Sequence, residues 1–159
     1  MLSNQKEIDT FYMRQAIQQA EKGFENDEVP VGAVLVHEKK IVGRAYSQVR
    51  LLKDATAHAE MLAITQACEQ LGAGRLPGTT LYVTLEPCPM CLGAMILARV
   101  GRLVFGVREK KTGACGSVVN LMADGKWNHR FTIEEGLLEF ESAALLQEFF
   151  KKKRPRRGA

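Results

Sequence analysis

A three-layer α/β/α sandwich is the fold class this sequence predicts, with a mixed, mostly five-stranded sheet and helices on both faces. Two β-rich runs near the N-terminus flank a polar turn, and a strand–helix–strand alternation spans residues 79–107. Stretches of helical apolar spacing lie before, between and after them. A tight hairpin is antiparallel, whereas strand–helix–strand implies a crossover between parallel strands, so the sheet is expected to be mixed.

The elements follow in chain order. Residues 5–23 place Ile8, Tyr12, Ala16, Ile17 and Ala20 on one helical face, and Asn26-Asp27 breaks the pattern. Residues 31–36 (VGAVLV) read as a strand, residues 37–40 as a turn, and residues 41–46 as the returning strand. From Ala57 to Leu71 the apolar positions Met61, Ile64, Cys68 and Leu71 recur every three or four residues, predicting a second helix. The glycine-rich residues 72–78 are a connection. Residues 79–85 (TTLYVTL) are rich in β-branched side chains and form the clearest strand. A helix over 89–98, strands at 102–107 and 131–138, and an apolar-then-basic helix at 140–153 complete the order.

Length suits one domain, residues 1–150, followed by a basic tail, residues 151–159. Six of the 22 basic residues fall in residues 151–157, leaving 16 basic against 18 acidic residues in the body. A near-neutral globule with a cationic end is therefore expected, and such an end neutralises phosphates or is simply solvated. No run approaches the ~18 apolar residues of a membrane span, and the N-terminal residues lack a charged-then-apolar leader pattern. The expected location is cytoplasmic, where cysteines stay reduced and their spacing matters more than their pairing.

Chemistry concentrates in His58-Ala59-Glu60 and, after 26 intervening residues, Pro87-Cys88-Pro89-Met90-Cys91. Zinc accepts imidazole nitrogen and thiolate sulfur, and a catalytic zinc keeps three protein ligands and one open position. His58, Cys88 and Cys91 supply three. Cys88 and Cys91 share a face of a helix's first turn, where Pro89 is well placed and thiolate is favoured over thiol. Asp54 or Thr56 is the expected cap of the helix beginning near His58. Residues two apart on a regular helix do not face one another, so Glu60 is read as a proton carrier beside the metal rather than as a ligand. Cys68, on an apolar helical face, is read as core.

With these residues in view, the chain resembles the cytidine-deaminase-like zinc deaminases, and within them the tRNA-specific adenosine deaminases of bacteria. The likeness covers residues 8–154, including Asp27-Glu28-Val29-Pro30-Val31-Gly32-Ala33, Ala57-His58-Ala59-Glu60, the run from Leu81 to Cys91, Arg108, Lys111-Thr112-Gly113, Asn128-His129-Arg130 and Phe149-Phe150. The resemblance implies one zinc ion per subunit, a homodimer, and hydrolytic deamination of adenosine to inosine in a tRNA anticodon stem-loop by a zinc-activated water, chemistry established for that superfamily. It implies substrate contacts from Val29, Pro30, Ser47, Ala57, Pro87, Arg108, Lys111, Asn128, Phe149, Phe150, Lys151, Lys152, Lys153 and Arg154. For the two phenylalanines, helix packing is the competing reading and is favoured for at least one of them.

Three positions depart from the family pattern. Ser47 stands where an asparagine is usual, Asp54-Ala55-Thr56 replaces Asp-Pro-Thr, and Glu109 replaces an aspartate. A serine hydroxyl offers less than an amide's paired donor and acceptor, which leaves open a rival reading, a zinc deaminase of free guanine or cytosine-type bases.

Overall fold

The computed structural model describes residues 4–123 and 125–153. Helix α1 (Gln5–Glu25) starts at Asn4, whose side-chain oxygen accepts from the Glu7 backbone N–H at 2.8 Å while its amide donates to the Glu7 carboxylate at 2.9 Å. That reciprocal pair satisfies two groups a bare helix start leaves unbonded. Strands β1 (Gly32–His37) and β2 (Lys40–Tyr46) form the expected hairpin. Glu38 and Lys39 both take positive φ, 49° and 63°, which makes this the tight turn whose twist matches its strands.

A short helix α2 (Val49–Leu52), not foreseen from the sequence, follows. Then come α3 (Ala59–Leu71), β3 (Thr79–Leu85), α4 (Pro89–Leu97), β4 (Arg102–Val107), β5 (Thr132–Glu134) and α5 (Glu139–Lys153). The strand expected over residues 131–138 is thus shorter, because Gly136 and Leu138 turn the chain through positive φ into α5. Helix α5 runs on through Lys153, so the first residues of the basic segment form its last turn.

The sheet order is β2-β1-β3-β4-β5, with β1 antiparallel to both β2 and β3, and β3, β4 and β5 mutually parallel in sequence across the sheet. This is the mixed five-stranded α/β sandwich. Alternation along the strands sorts the two cores. Ala33, Leu35, Leu81, Val83, Leu103 and Phe105 pack toward α3 and α4. Val34, Val36, Tyr82 and Val104 point oppositely, toward α1 and the start of α5. Gly43 lets α3 close on β2, since a Cβ there would sit 2.3 Å from the Ala63 carbonyl oxygen.

On the α1 face lies one buried charge. Asp9 accepts from the Tyr82 hydroxyl at 2.7 Å and from Arg102 at 2.8 and 2.6 Å, and Arg102 also pairs with Glu134 at 2.8 Å. Burial alone would raise the Asp9 carboxyl, but the bonds from Arg102, Tyr82 and Gln5 outweigh it and hold the group below its ordinary range. Asp9→Ala is expected to lower unfolding free energy by about 3 kcal/mol, the low end for a broken buried pair because Arg102 keeps Glu134. A carboxylate whose folded pKa is depressed contributes stability above its unfolded pKa and loses it as pH falls through the folded value. The gap between wild type and variant in urea unfolding should therefore be full at pH 7 and shrink in acid.

Candidate metal centre and active site

The two halves of the motif meet because two helices begin at one point. His58 is the N-cap of α3, extended at φ −71° and ψ 152°, and Cys88 is the N-cap of α4 with Pro89 behind it. Each cap's carbonyl accepts the first helical bond, Leu62 to His58 at 3.1 Å and Leu92 to Cys88 at 3.0 Å. The expected caps are thereby corrected. Asp54 and Thr56 do not cap α3; the Asp54 carboxylate instead accepts from the Thr56 N–H at 2.8 Å and hydroxyl at 2.7 Å, closing a local turn. Because His58 lies outside the helix proper, its ring and the Glu60 carboxyl both reach the same cavity. The spacing rule for side chains two apart applies only within a helix.

His58 Nδ1 lies 3.6 Å from Cys88 Sγ and 3.5 Å from Cys91 Sγ, and the three donor atoms all fall within 4.8 Å of one another. A tetrahedral zinc with ~2.3 Å bonds to sulfur and ~2.05 Å bonds to nitrogen sets such S and N atoms about 3.6 Å apart. Among the described residues this is the one cluster of three or more such side chains able to hold a metal ion. The donor chemistry fits as well. The hydrogen bond from Cys91 brings the Cys88 thiol down to about 4, helped by His58, while that same bond and burial push Cys91 up. One imidazole nitrogen and two cysteine sulfurs are a donor set that zinc accepts.

Glu60 is buried beside them. Desolvation is the largest influence on its carboxyl and raises it, against smaller opposing effects from its own backbone N–H, the His58 charge and a hydrogen bond with Cys91. The cavity in front has a volume of about 240 Å³. It is lined by His58, Glu60 and Cys88 from the motif, by Val29, Ser47 and Val49 from the segments around β1 and α2, and by Glu86, Glu109 and Thr112 from the segments after β3 and β4.

Of the substrate contacts expected from the sequence, Val29 and Ser47 line this cavity. Pro30, Ala57 and Pro87 are buried next to lining residues in the chain. Arg108 and Lys111 flank lining residues in the chain, on the loop after β4, without lining the cavity themselves; Arg108 makes a two-pronged bond to Glu135 at 2.9 and 2.7 Å. Phe149 is a correction. It is buried, meeting Phe24 and Phe150 edge-on, so its ring is spent on helix packing, whereas Phe150 is about half exposed. Lys151 is exposed, Lys152 lies 4.7 Å over the Phe24 ring, and Lys153 pairs with Asp27. Asn128 is not brought to the cavity. It accepts from Arg99 at 3.1 Å, just past the opposite end of α4 from Cys88. Arg154 and the rest of the tail fall outside the described residues.

Sequence reasoning passed over Glu28, Val49, Glu86 and Thr112. Glu86 carries a signal, an acid between Leu85 and the Pro87-Cys88 of the motif, whereas Glu28 follows Asn26-Asp27 and carries none. Glu28 accepts from the α2 N–H groups of Arg50 at 3.0 Å and Leu51 at 2.9 Å, fixing the wall that carries Val49. Cys68 packs half-buried against the core, as expected. Burial pushes the Cys115 thiol up to about 12, so it stays protonated.

Comparison with known proteins fits this geometry. A family model described as MafB19-like deaminase matches residues 8–154. The tRNA-specific adenosine deaminase of Bacillus subtilis strain 168 is 46% identical over 151 residues, spanning 95% of this chain and 94% of its own. A structure solved in work on A-to-I editing by tRNA:A34 deaminases at the wobble position of transfer RNA has a TM-score of 0.83 at 45% identity, covering 86% of this chain and 99% of that one. The guanine deaminase of Bacillus subtilis scores 0.60 at 35% identity, over 67% and 66% of the two chains.

Proposed function

This chain belongs to the MafB19-like deaminase family, and from that premise we propose that it hydrolyses adenosine to inosine at the wobble position of tRNA. The observation that carries the reading is a buried carboxyl, Glu60, opening on the same small cavity as His58 and Cys88, with the Cys91 sulfur buried behind them 3.5 Å from His58 Nδ1.

The metal these residues would hold is zinc, one ion per chain, on His58, Cys88 and Cys91. When bound, zinc supplies Lewis acidity that lets water attack carbon at neutral pH. Glu60 does the proton work. It accepts a proton from the attacking water, passes it to the purine ring nitrogen, and delivers the next to the departing amino group. Ammonia leaves and a carbonyl remains. Desolvation around Glu60 keeps that proton inside the site rather than losing it to solvent.

A cavity of about 240 Å³ lies below the ~300–1,000 Å³ of pockets for drug-sized ligands, so it admits one extruded base and excludes a duplex. An unpaired anticodon-loop base reaches it at little unstacking cost. Ser47 and Val29 meet the base, and Pro30, Ala57 and Pro87 back them. Arg108, Lys111 and the basic end of α5 (Lys151, Lys152, Lys153, with Arg154 beyond) face the phosphates, and Phe150 is placed to lie against a nucleotide. The chain works as a homodimer in the cytoplasm. No described helix is long and apolar enough to cross a membrane.

Ser47 favours a second reading, deamination of free purines, since the guanine deaminase of Bacillus subtilis shares the fold. One assay separates them. The zinc-loaded protein is incubated with an anticodon stem-loop, and separately with guanine, cytosine and adenosine. Inosine in the RNA with no ammonia from free bases is the expected result; ammonia from free guanine alone would move the assignment to the second reading.

A further inference from the structure

Glu86 lines the cavity, one residue before Pro87, and at first sight duplicates Glu60 as an acid near the metal donors. Its bonds say otherwise. One oxygen accepts the Glu109 N–H at 3.0 Å and the Ser117 hydroxyl; the other accepts the Cys115 N–H at 2.9 Å and the Ser117 N–H at 3.2 Å. Four donors fill both oxygens, so no lone pair is left to take a substrate proton. Every donor comes from residues 109–117, the segment that carries Glu109 and Thr112 into the cavity lining, with Lys110 and Lys111 between them in the chain.

The loop is shaped around this carboxylate. A Cβ on Gly113 would lie 2.4 Å from the Glu86 carboxyl, so a glycine there allows the backbone to close over it. Next door, the Ala114 N–H donates to the Pro87 carbonyl at 2.9 Å, stitching the loop to the residue before the ligand Cys88. The carboxylate therefore ties one cavity wall to the start of α4.

We infer that Glu86 is a positioning residue, which clamps residues 109–117 so that this wall and its cations meet the RNA. The inference rests on the deaminase reading of the cavity. Glu86→Gln tests it sharply. The amide oxygen still accepts from Cys115 and Ser117, but the amide NH₂ then faces the Glu109 N–H, two donors opposed, and only the Ser117 hydroxyl can turn to accept. The Glu109 end of the loop is released selectively.

The full-length, zinc-loaded protein and its Glu86→Gln and Ser117→Ala variants are compared by metal content, backbone amide exchange, and kcat and KM on the stem-loop. For Glu86→Gln, metal content is expected to hold, the Glu109 amide to exchange faster, and KM to rise about ten-fold with kcat within about three-fold, the scale of one lost charge-assisted bond. Ser117→Ala should move KM the same way by less, and it answers the question should Glu86→Gln fail to fold. Unchanged KM, or a fall in kcat that merely tracks lost metal or lost folded protein, overturns the inference. Wild type inactive on RNA sinks the deaminase reading instead. In that case exchange at Glu109 still decides: faster in Glu86→Gln sustains the clamp, and unchanged removes it.

Discussion

Glu60→Gln is expected to keep its metal and its fold while losing about 10²–10⁴-fold in turnover, the usual worth of a general acid–base group. The substitution preserves shape at a buried position and removes only the ability to trade a proton. Burying a neutral amide costs less than burying a carboxylate, so the fold is expected to survive the change. Nor does it remove a metal donor, because the cluster is His58, Cys88 and Cys91. Single-turnover inosine formation on the stem-loop, read beside metal content and thermal melting, makes the test. Full turnover with metal in place would strip Glu60 of its role.

Cys91→Ser is the second large effect. Cys91 is fully buried on the first turn of α4, and its sulfur lies 3.5 Å from His58 Nδ1. A serine oxygen there is shorter and harder than thiolate and leaves two good donors where a stable site needs three. Metal is expected to be lost on dialysis, activity to fall to background, and the melting temperature to stop responding to added zinc. In wild type the bound ion adds stability by mass action, about 4 kcal/mol when free metal stands ~1,000-fold above its dissociation constant. Cys68→Ser is the control, since that side chain packs against the core away from the cluster. Retained metal in Cys91→Ser would mean the cluster is not the metal site.

The sequence disclosed what depends on local chemistry. Zinc's taste for imidazole and thiolate singled out His58, Cys88 and Cys91, and period-two and helical spacing located the strands and long helices. It was silent where the answer depends on distant partners. Glu28 and Glu86 are anchored by backbone N–H groups that lie 22 to 31 residues away, and a backbone donor leaves no mark on composition. Phe149 and Phe150 look alike in sequence. Only the position of Phe24 on α1 decides which of them turns inward. Helix α2 is four residues long, too short to show a period, and β5 ends early because two positive-φ residues follow it.

The cavity's make-up separates two jobs along the chain. The metal donors and Glu60 belong to helix starts locked into the packed core, while the rest of the cavity lining comes largely from loops and strand ends, including Val29, Val31, Ser47, Glu109 and Thr112. Drift at those loops and strand ends can retune which nucleobase is accepted while the hydrolytic engine stays untouched. That modularity offers a physical reason why one scaffold is shared by tRNA:A34 deaminases and a guanine deaminase.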